Sequence, residues 1–371
     1  MNHMIDNNTL SRLMPAILLT LGATGLAQAG TLENVRDQGH VRCGVNAAQP
    51  GFSALDDEDT YRGLDTDVCR AIAAAVLGDA ESVRFVPLDS VERFTAIQSG
   101  EVDVLSRTTT WTSSRDTGMG VNFTGVSYYD GQAFMVPAEL GVSSALELDG
   151  ADVCTQSGTT SELNLADFFR VNDMSYNPIV FDSPEQSIAG FEAGRCDVLS
   201  TDASQLYSQR MQLPDPDSAV VLADIISKEP LGPAVLQGDD QWFNIVKWSL
   251  FAMINAEEMG LTQDNVDDML DSEDPDIARL LGRDGNYGEA MGLEADWAYQ
   301  IISQVGNYGE MFDRNVGEGS EFKIARGLNA LWTEGGSSTH RRYVDGDCAG
   351  PGGGTGRVWQ SREIHFGRIV E

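Results

Sequence analysis

The sequence predicts an α/β protein of two lobes joined by two crossover strands, and three observations carry that prediction. Strand-like and helix-like segments alternate from about residue 41 onward, the pattern of βαβ units on a mainly parallel sheet. The pattern then restarts: "IQSGEVDVLSRT" and "FEAGRCDVLSTD" each read as helix end, glycine, then Asp-Val-Leu-Ser. Two units of similar design therefore follow each other. Extended segments "QAFMVPA" (132–138) and "ISKEPLGPAV" (226–235) bracket the second unit and are the natural crossovers.

The elements follow in order. "GHVRCGV" alternates as a strand. In "LDTDVCRAIAAAVLG", Asp65 or Thr66 can cap a helix whose Val68, Ile72, Ala75 and Val76 keep the 3.6-residue period, and Gly78 ends it. "SVRFVPL" reads as strand, "SVERFTAIQSG" as helix and "VDVLS" as strand. In the second unit "ADVCTQ" is a strand, "GTTSELNLADFF" a turn entering a helix, and "NPIVF" a strand. "DSPEQSIAGFEAG" is a helix with Pro184 suited to its first turn. "CDVLSTD" is the last strand of that unit. Beyond the crossovers, "DDQWFNIVKWSLFAMINAEEMG" is a strong amphipathic helix, capped at Asp239 or Asp240 and stopped at Gly260. "GNYGE" occurs at 285–289 and at 306–310; two short copies make no solenoid and mark similar helix-capping turns.

Both ends differ from this body. "SRLMPAILLTLGATGLAQAG" has Arg12, an apolar stretch and the small-x-small run Ala27-Gln28-Ala29, a secretory signal peptide cleaved after Ala29. An exported chain in an oxidising compartment uses cysteines as disulfide partners rather than metal ligands. Of three connectivities for Cys43, Cys69, Cys154 and Cys196, Cys43–Cys69 and Cys154–Cys196 each staple one local unit and are favoured; Cys348 is left over. From Ser337 the composition changes, with glycine, arginine and histidine rising, and an atypical, disordered tail is expected over 337–371.

Composition bounds the function. Apolar residues make up 42% and charged residues 22% of 371, so the chain is globular. A formal net charge of −33 argues against nucleic acid or an anionic membrane as partner. The motifs HExxH, GxSxG and the P-loop do not occur, and only His40 lies within the body. The sequence calls for no metal and no cofactor, and binding fits better than catalysis.

Ligands of parallel sheets lie at the carboxyl ends of strands, and "SRTTTWTSSRD", "SGTTSE" and "TDAS" all follow predicted strands. A zwitterionic ligand needs a bidentate cation for its carboxylate, donors around it, and an anion for its ammonium. Arg115 supplies the cation, flanked by Thr108 and Thr110. "SGTTSE" brings Thr160 and the amides of a helix N-terminus, and Asp202 supplies the anion. Alternation along a strand does not fix the direction of Arg107, so its role stays open between the cleft and a surface ion pair, with the ion pair favoured.

The order Gly-Phe-Ser, Gly-Leu-Asp-x-Asp, Gly-x-x-Asp, Thr-x-Thr-x-x-x-x-Arg, Ser-Gly-Thr-Thr-Ser, Gly-Arg-x-Asp, Thr-Asp resembles the periplasmic amino-acid-binding proteins of ABC transporters. "EPLGPAVLQGDDQWF", "NYGE" and "IARGLNALW" look like their general L-amino-acid-binding branch, as do the four paired cysteines; the likeness spans about residues 31–336. It implies a type II periplasmic binding protein fold, with lobe 1 at 30–135 plus 232–336, including a C-terminal helical extension, and lobe 2 at 136–231. It further implies a monomer that captures an L-amino acid in the cleft and delivers it to an ABC permease. By position, Arg115 would hold the α-carboxylate with Thr110 and Thr160, Asp202 the α-ammonium, and Thr108 would line the same wall. Ser90 and Arg93 align with positions that contact the side chain in glutamate and aspartate binders. Two departures, Gln49 and Ser90 in place of aromatics and Asn46 in place of an arginine, imply broad polar specificity including glutamate and glutamine. The competing expectation is a periplasmic dehydratase or murein lyase on the same fold, for which Glu92 and Glu162 are the nearby carboxylates.

Overall fold

The computed structural model describes residues 30–338. The expected signal peptide, Cys348 and the residues beyond Ser338 lie outside the described residues. The strands are β1 (Val41–Val45), the short hairpin β2 (Ala54–Leu55) and β3 (Tyr61–Arg62), β4 (Val83–Pro87), β5 (Val104–Leu105) and β6 (Val121–Phe123). There follow β7 (Tyr128–Asp130), β8 (Gln132–Pro137), β9 (Ala151–Gln156), β10 (Tyr176–Phe181) and β11 (Val198–Asp202). The last are β12 (Ala219–Val221), β13 (Glu229–Leu231) and β14 (Ala234–Leu236).

They form two five-stranded mixed sheets with orders β4-β1-β5-β14-β6 and β10-β9-β11-β8-β12. The two have the same design. The second strand of each order, β1 or β9, has parallel neighbours. The fourth, β14 or β8, has antiparallel ones. Helices flank both sheets, which makes this the two-lobed α/β fold of type II periplasmic binding proteins. The chain passes between the sheets through β7 and β13, which pair antiparallel with Tyr128 opposite Leu231 and Asp130 opposite Glu229. At this passage Gly232 has no room for a side chain: a Cβ there would meet the Gly125 carbonyl oxygen at 1.9 Å.

The first crossover is therefore not 132–138 as expected. Those residues are β8, and the expected lobe boundary at 135/136 falls inside it. Gln132 to Val136 are all buried. Ala133 and Met135 pack with Cys154 and Leu199 on one face, Phe134 and Val136 with Val153 and Leu165 on the other. A strand covered on both faces reads as a continuous apolar run, which is what "AFMV" is.

Cap chemistry accounts for the helix boundaries, with one correction. Asp239 caps Asp240–Glu258 by accepting from the Trp242 amide at 2.9 Å, and Thr159 caps Thr160–Val171. Neither Asp65 nor Thr66 caps the helix Leu64–Leu77. Gly63 holds that position at φ 133°, where a Cβ would meet the Phe52 carbonyl oxygen at 2.1 Å. The helix thus starts early enough to put Asp65 in its first turn, where its carboxylate is free for other partners.

The helices beyond residue 265 complete the core of the first sheet. Trp297, Ile301, Tyr308 and Phe312 pack in one cluster with Val41, Ile72, Trp242 and Met253. Burying each such side chain stabilises by about 1.5–3 kcal/mol, so this extension is part of the lobe's stability. The two Gly-Asn-Tyr-Gly-Glu copies both open helices, Tyr287–Met291 and Tyr308–Asn315, and Asn307 with Glu310 forms a full capping box. Of the tail expected to be disordered from 337, Ser338 is still held, donating to the Asn329 carbonyl at 3.1 Å. Disulfides join Cys43 to Cys69 and Cys154 to Cys196, with Cα separations of 6.3 and 5.7 Å.

Candidate ligand-binding site

The cavity between the lobes is lined from the first by Asn46, Ser90, Arg93, Arg107, Thr108, Thr110 and Arg115. The second contributes Gln156, Thr159, Thr160, Ser161, Thr201, Asp202 and Gln205. All eight residues singled out from the sequence are among them, in the segments that follow or end β1, β4, β5, β9 and β11. Gln49 is not: it lies behind the wall, where its Oε1 accepts from Asn46 Nδ2 at 2.9 Å and Thr108 Oγ1 at 3.1 Å.

Arg107 corrects the expectation of a surface ion pair. It is 3% exposed, and its Nε donates to the Leu88 carbonyl at 2.7 Å. Three guanidinium groups thus share one wall. Arg115, on the short helix Ser113–Gly118, donates from Nη1 to the Thr110 carbonyl at 3.0 Å. Arg93 reaches Thr109 Oγ1 at 3.4 Å and, from the other lobe, the Gly158 carbonyl at 3.3 Å. Both lie over the Phe94 ring, at 5.1 Å for Arg93 and 5.5 Å for Arg115, a cation–π arrangement that orients them. Among the described residues none of the three is in a salt bridge. Burial lowers the pKa of each; Arg115 and Arg107 lower Arg93 further, and Arg107 comes down to about 10. Desolvated cations without a counter-charge are costly, and a bound anion offsets that cost.

The opposite wall is acidic. Asp202 ends β11, and behind it Asp130 and Glu229 face each other across the crossing pair. Glu229 accepts from Thr160 Oγ1 at 2.9 Å and Asn164 Nδ2 at 2.8 Å. Asp130 accepts from Ser204 Oγ and the Gly131 amide. Burial, with Glu229 adding, raises Asp130 to about 6. Asp202 is raised well above the usual carboxyl range by burial, then by Asp130 and Glu229, while Arg115 and Arg93 pull it down. Among the described residues no side chain donates to the Asp202 carboxylate. An ammonium at that place would favour its charged form.

Asp65 holds the arginine loop. Its carboxylate accepts from the Thr108 amide at 2.8 Å and from Ser106 Oγ at 3.1 Å. Thr108 has φ +40°, a backbone conformation costly for a β-branched residue, so the loop needs such a tether. The same loop is tied to the crossing strand, with the Trp111 amide on the Pro230 carbonyl at 2.8 Å and the Gly232 amide on the Thr109 carbonyl at 3.1 Å. Thr110 and Thr160 hydroxyls meet across the cleft at 3.4 Å.

Sequence reasoning missed Asp65, Asp130 and Glu229 as parts of the site. The available signal was a lone carboxylate inside "ISKEPLG", a segment already read as a crossover. The carboxylates considered for catalysis do not serve: Glu92 is exposed, and Glu162 accepts from the Gly158 amide at 3.3 Å. Neither lines the cavity. Among the described residues no group of three or more His, Cys, Asp and Glu side chains could hold a metal ion.

A closed cleft between two α/β lobes, cationic on one wall and anionic on the other, defines a receptor for a small zwitterion. The chain belongs to the bacterial extracellular solute-binding proteins, family 3, whose model matches residues 41–265. It is a solute-binding protein, not an enzyme. It is 56% identical over 334 residues to the general L-amino acid-binding periplasmic protein AapJ of Rhizobium johnstonii, covering 90% of this chain and 98% of that one. It is 50% identical over 322 residues to the glutamate/glutamine/aspartate/asparagine-binding protein BztA of Rhodobacter capsulatus, covering 86% and 95%. Among solved structures it resembles an ABC transporter periplasmic binding protein from Brucella ovis with glutathione bound, with a TM-score of 0.83 and 52% identity over 84% of this chain and 98% of that one.

Proposed function

We propose that this protein captures L-amino acids with polar side chains, glutamate and glutamine among them, and delivers them from the periplasm to an ABC permease. The observation that carries this reading is the pairing of Arg115 with Asp202 across the cleft. Arg115 takes the α-carboxylate with the Thr110 hydroxyl and the amide of Thr160 at its helix N-terminus, and Asp202 takes the α-ammonium. These groups are common to every α-amino acid, so they set the class of ligand rather than its side chain. Ser90, Arg93 and Asn46 then face the side chain, and Thr108 lines the carboxylate wall. The names of the Rhizobium and Rhodobacter relatives support an amino-acid ligand, and the periplasmic relatives support export by a signal peptide ending at Ala29. Among the described residues no helix is long and apolar enough to cross a membrane.

A second reading has one observation behind it, the glutathione in the Brucella structure. Glutathione begins with a γ-linked glutamate whose α-ammonium and α-carboxylate are free, so the same clamp serves it. Incubation with labelled glutamate, glutamine and glutathione separates the readings. Recovery of an amino acid bound and chemically unchanged supports amino-acid capture. Retention of glutathione alone supports the second reading, and a changed product would refute a binding role altogether.

A further inference from the structure

Resting on the α-amino-acid reading of the cleft, we infer that Arg107 determines affinity for a second carboxylate on the ligand, remote from its amino-acid head. The cavity is polarised along its length. Arg115 is anchored on the Thr110 carbonyl, and the Thr110 hydroxyl meets Thr160 beside Glu229 of the acidic wall, which is the head-group end. Arg107 is anchored elsewhere on the wall, at the Leu88 carbonyl, beside the segment that carries Ser90 and Arg93 and reaches the Gly158 carbonyl of the second lobe.

Its geometry is that of a preset donor. Among the described residues its side chain makes one hydrogen bond, from Nε to the Leu88 carbonyl at 2.7 Å, which fixes the guanidinium on the cavity wall. Asp65 faces Arg107 but spends its oxygens on the Thr108 amide and the Ser106 hydroxyl. Arg93 beside it is equally buried, at 3% exposed, and its Nε has no hydrogen-bond partner among the described residues. Two buried guanidinium groups that repel each other on one wall are compensated by an anion, not by a neutral amide. A planar fork also matches a carboxylate with two parallel bonds. The chemistry has two sources: the side-chain carboxylate of a dicarboxylic amino acid, or the terminal carboxylate of a γ-glutamyl peptide.

The test is calorimetric titration of refolded, ligand-free wild type and Arg107→Gln with L-glutamate, L-glutamine, glutathione and glutathione ethyl ester. Arg107→Gln should weaken glutamate at least about tenfold more than glutamine, the size of one charge-assisted contact. If the γ-glutamyl peptide is the natural source, the same gap opens between glutathione and its ester, whose terminal carboxylate is masked. Equal weakening of each acid and its neutral partner, or none, overturns the inference. Should Arg107→Gln not melt cooperatively, Arg107→Lys replaces it: charge kept without the fork should still weaken glutamate more than glutamine, and an equal shift refutes the role. Failure of wild type to bind any of the four compounds would instead refute the amino-acid reading itself.

Discussion

Replacing Asp65 by asparagine isolates the tether that holds the arginine loop. The Asp65 carboxyl is 3% exposed and titrates at about 6, raised from 3.8 by burial and only partly pulled back by the Thr108 amide, the Ser106 hydroxyl and Arg107. A folded-state pKa above the unfolded one means that the folded protein binds more protons between those values. The stabilisation this provides is therefore fully present below about pH 3.8 and is lost as pH rises through about 6. A rise from 3.8 to about 6 corresponds to about 3 kcal/mol at pH 7 and above. Asparagine keeps an oxygen for the Thr108 amide and carries no charge, so the variant lacks this cost. Urea unfolding of both proteins from pH 4 to pH 8 should show the variant gaining on wild type as pH rises, by up to about 3 kcal/mol. A difference that is constant with pH, or that favours wild type increasingly at high pH, would refute the assignment.

Two further outcomes follow from the same geometry. Removing the Cys43–Cys69 bond by a double serine substitution opens a 26-residue loop, worth about 3.5 kcal/mol in the chain-entropy model. Thermal melting should fall by about 10 °C, and an unchanged Tm would show that the bond does not constrain the unfolded chain. Asp202 is held toward its neutral form by burial, Asp130 and Glu229, yet must be charged to hold an ammonium. Ligand uptake should then release a proton, and affinity should weaken as pH falls from 8 to 5, by at most about tenfold per unit. Titrations in two buffers of different ionisation enthalpy read that proton directly, and in Asp202→Asn the proton release should vanish.

The fold was largely legible because its signals are local. The 3.6-residue pattern of Val68, Ile72, Ala75 and Val76, the cap at Asp239 and the repeated Asp-Val-Leu-Ser each rest on a few neighbouring residues. The residues proposed for the clamp share one cavity for a related reason: Thr160 and Asp202 lie just after or at the ends of strands, and Arg115 lies on the short helix that follows β5, where such sheets bring loops together. What failed was long-range. β5 has two residues, Val104 and Leu105, so no alternation extends far enough to aim Arg107, and only its bond to Leu88 and the surrounding loops turn it inward. Asp65 carries the sequence signature of a cap, but Gly63 starts the helix earlier and releases its carboxylate to a loop some forty residues on. Asp130 and Glu229 are ordinary acidic residues until the pairing of β7 with β13 sets them opposite each other. The crossover was misplaced because extended character was weighed, while the unbroken apolar run of β8 marked a central strand.

The central claim is that Arg115 and Asp202 grip the common head of an α-amino acid. Calorimetric titration of refolded, ligand-free wild type and Arg115→Ala with L-glutamate and L-glutamine tests it most directly. The account predicts heat with both amino acids for wild type. For Arg115→Ala it predicts a loss of at least about 100-fold for both alike, since truncating one partner of a buried charge pair costs about 2–5 kcal/mol. Undiminished binding by Arg115→Ala, or a loss confined to one of the two amino acids, would contradict it.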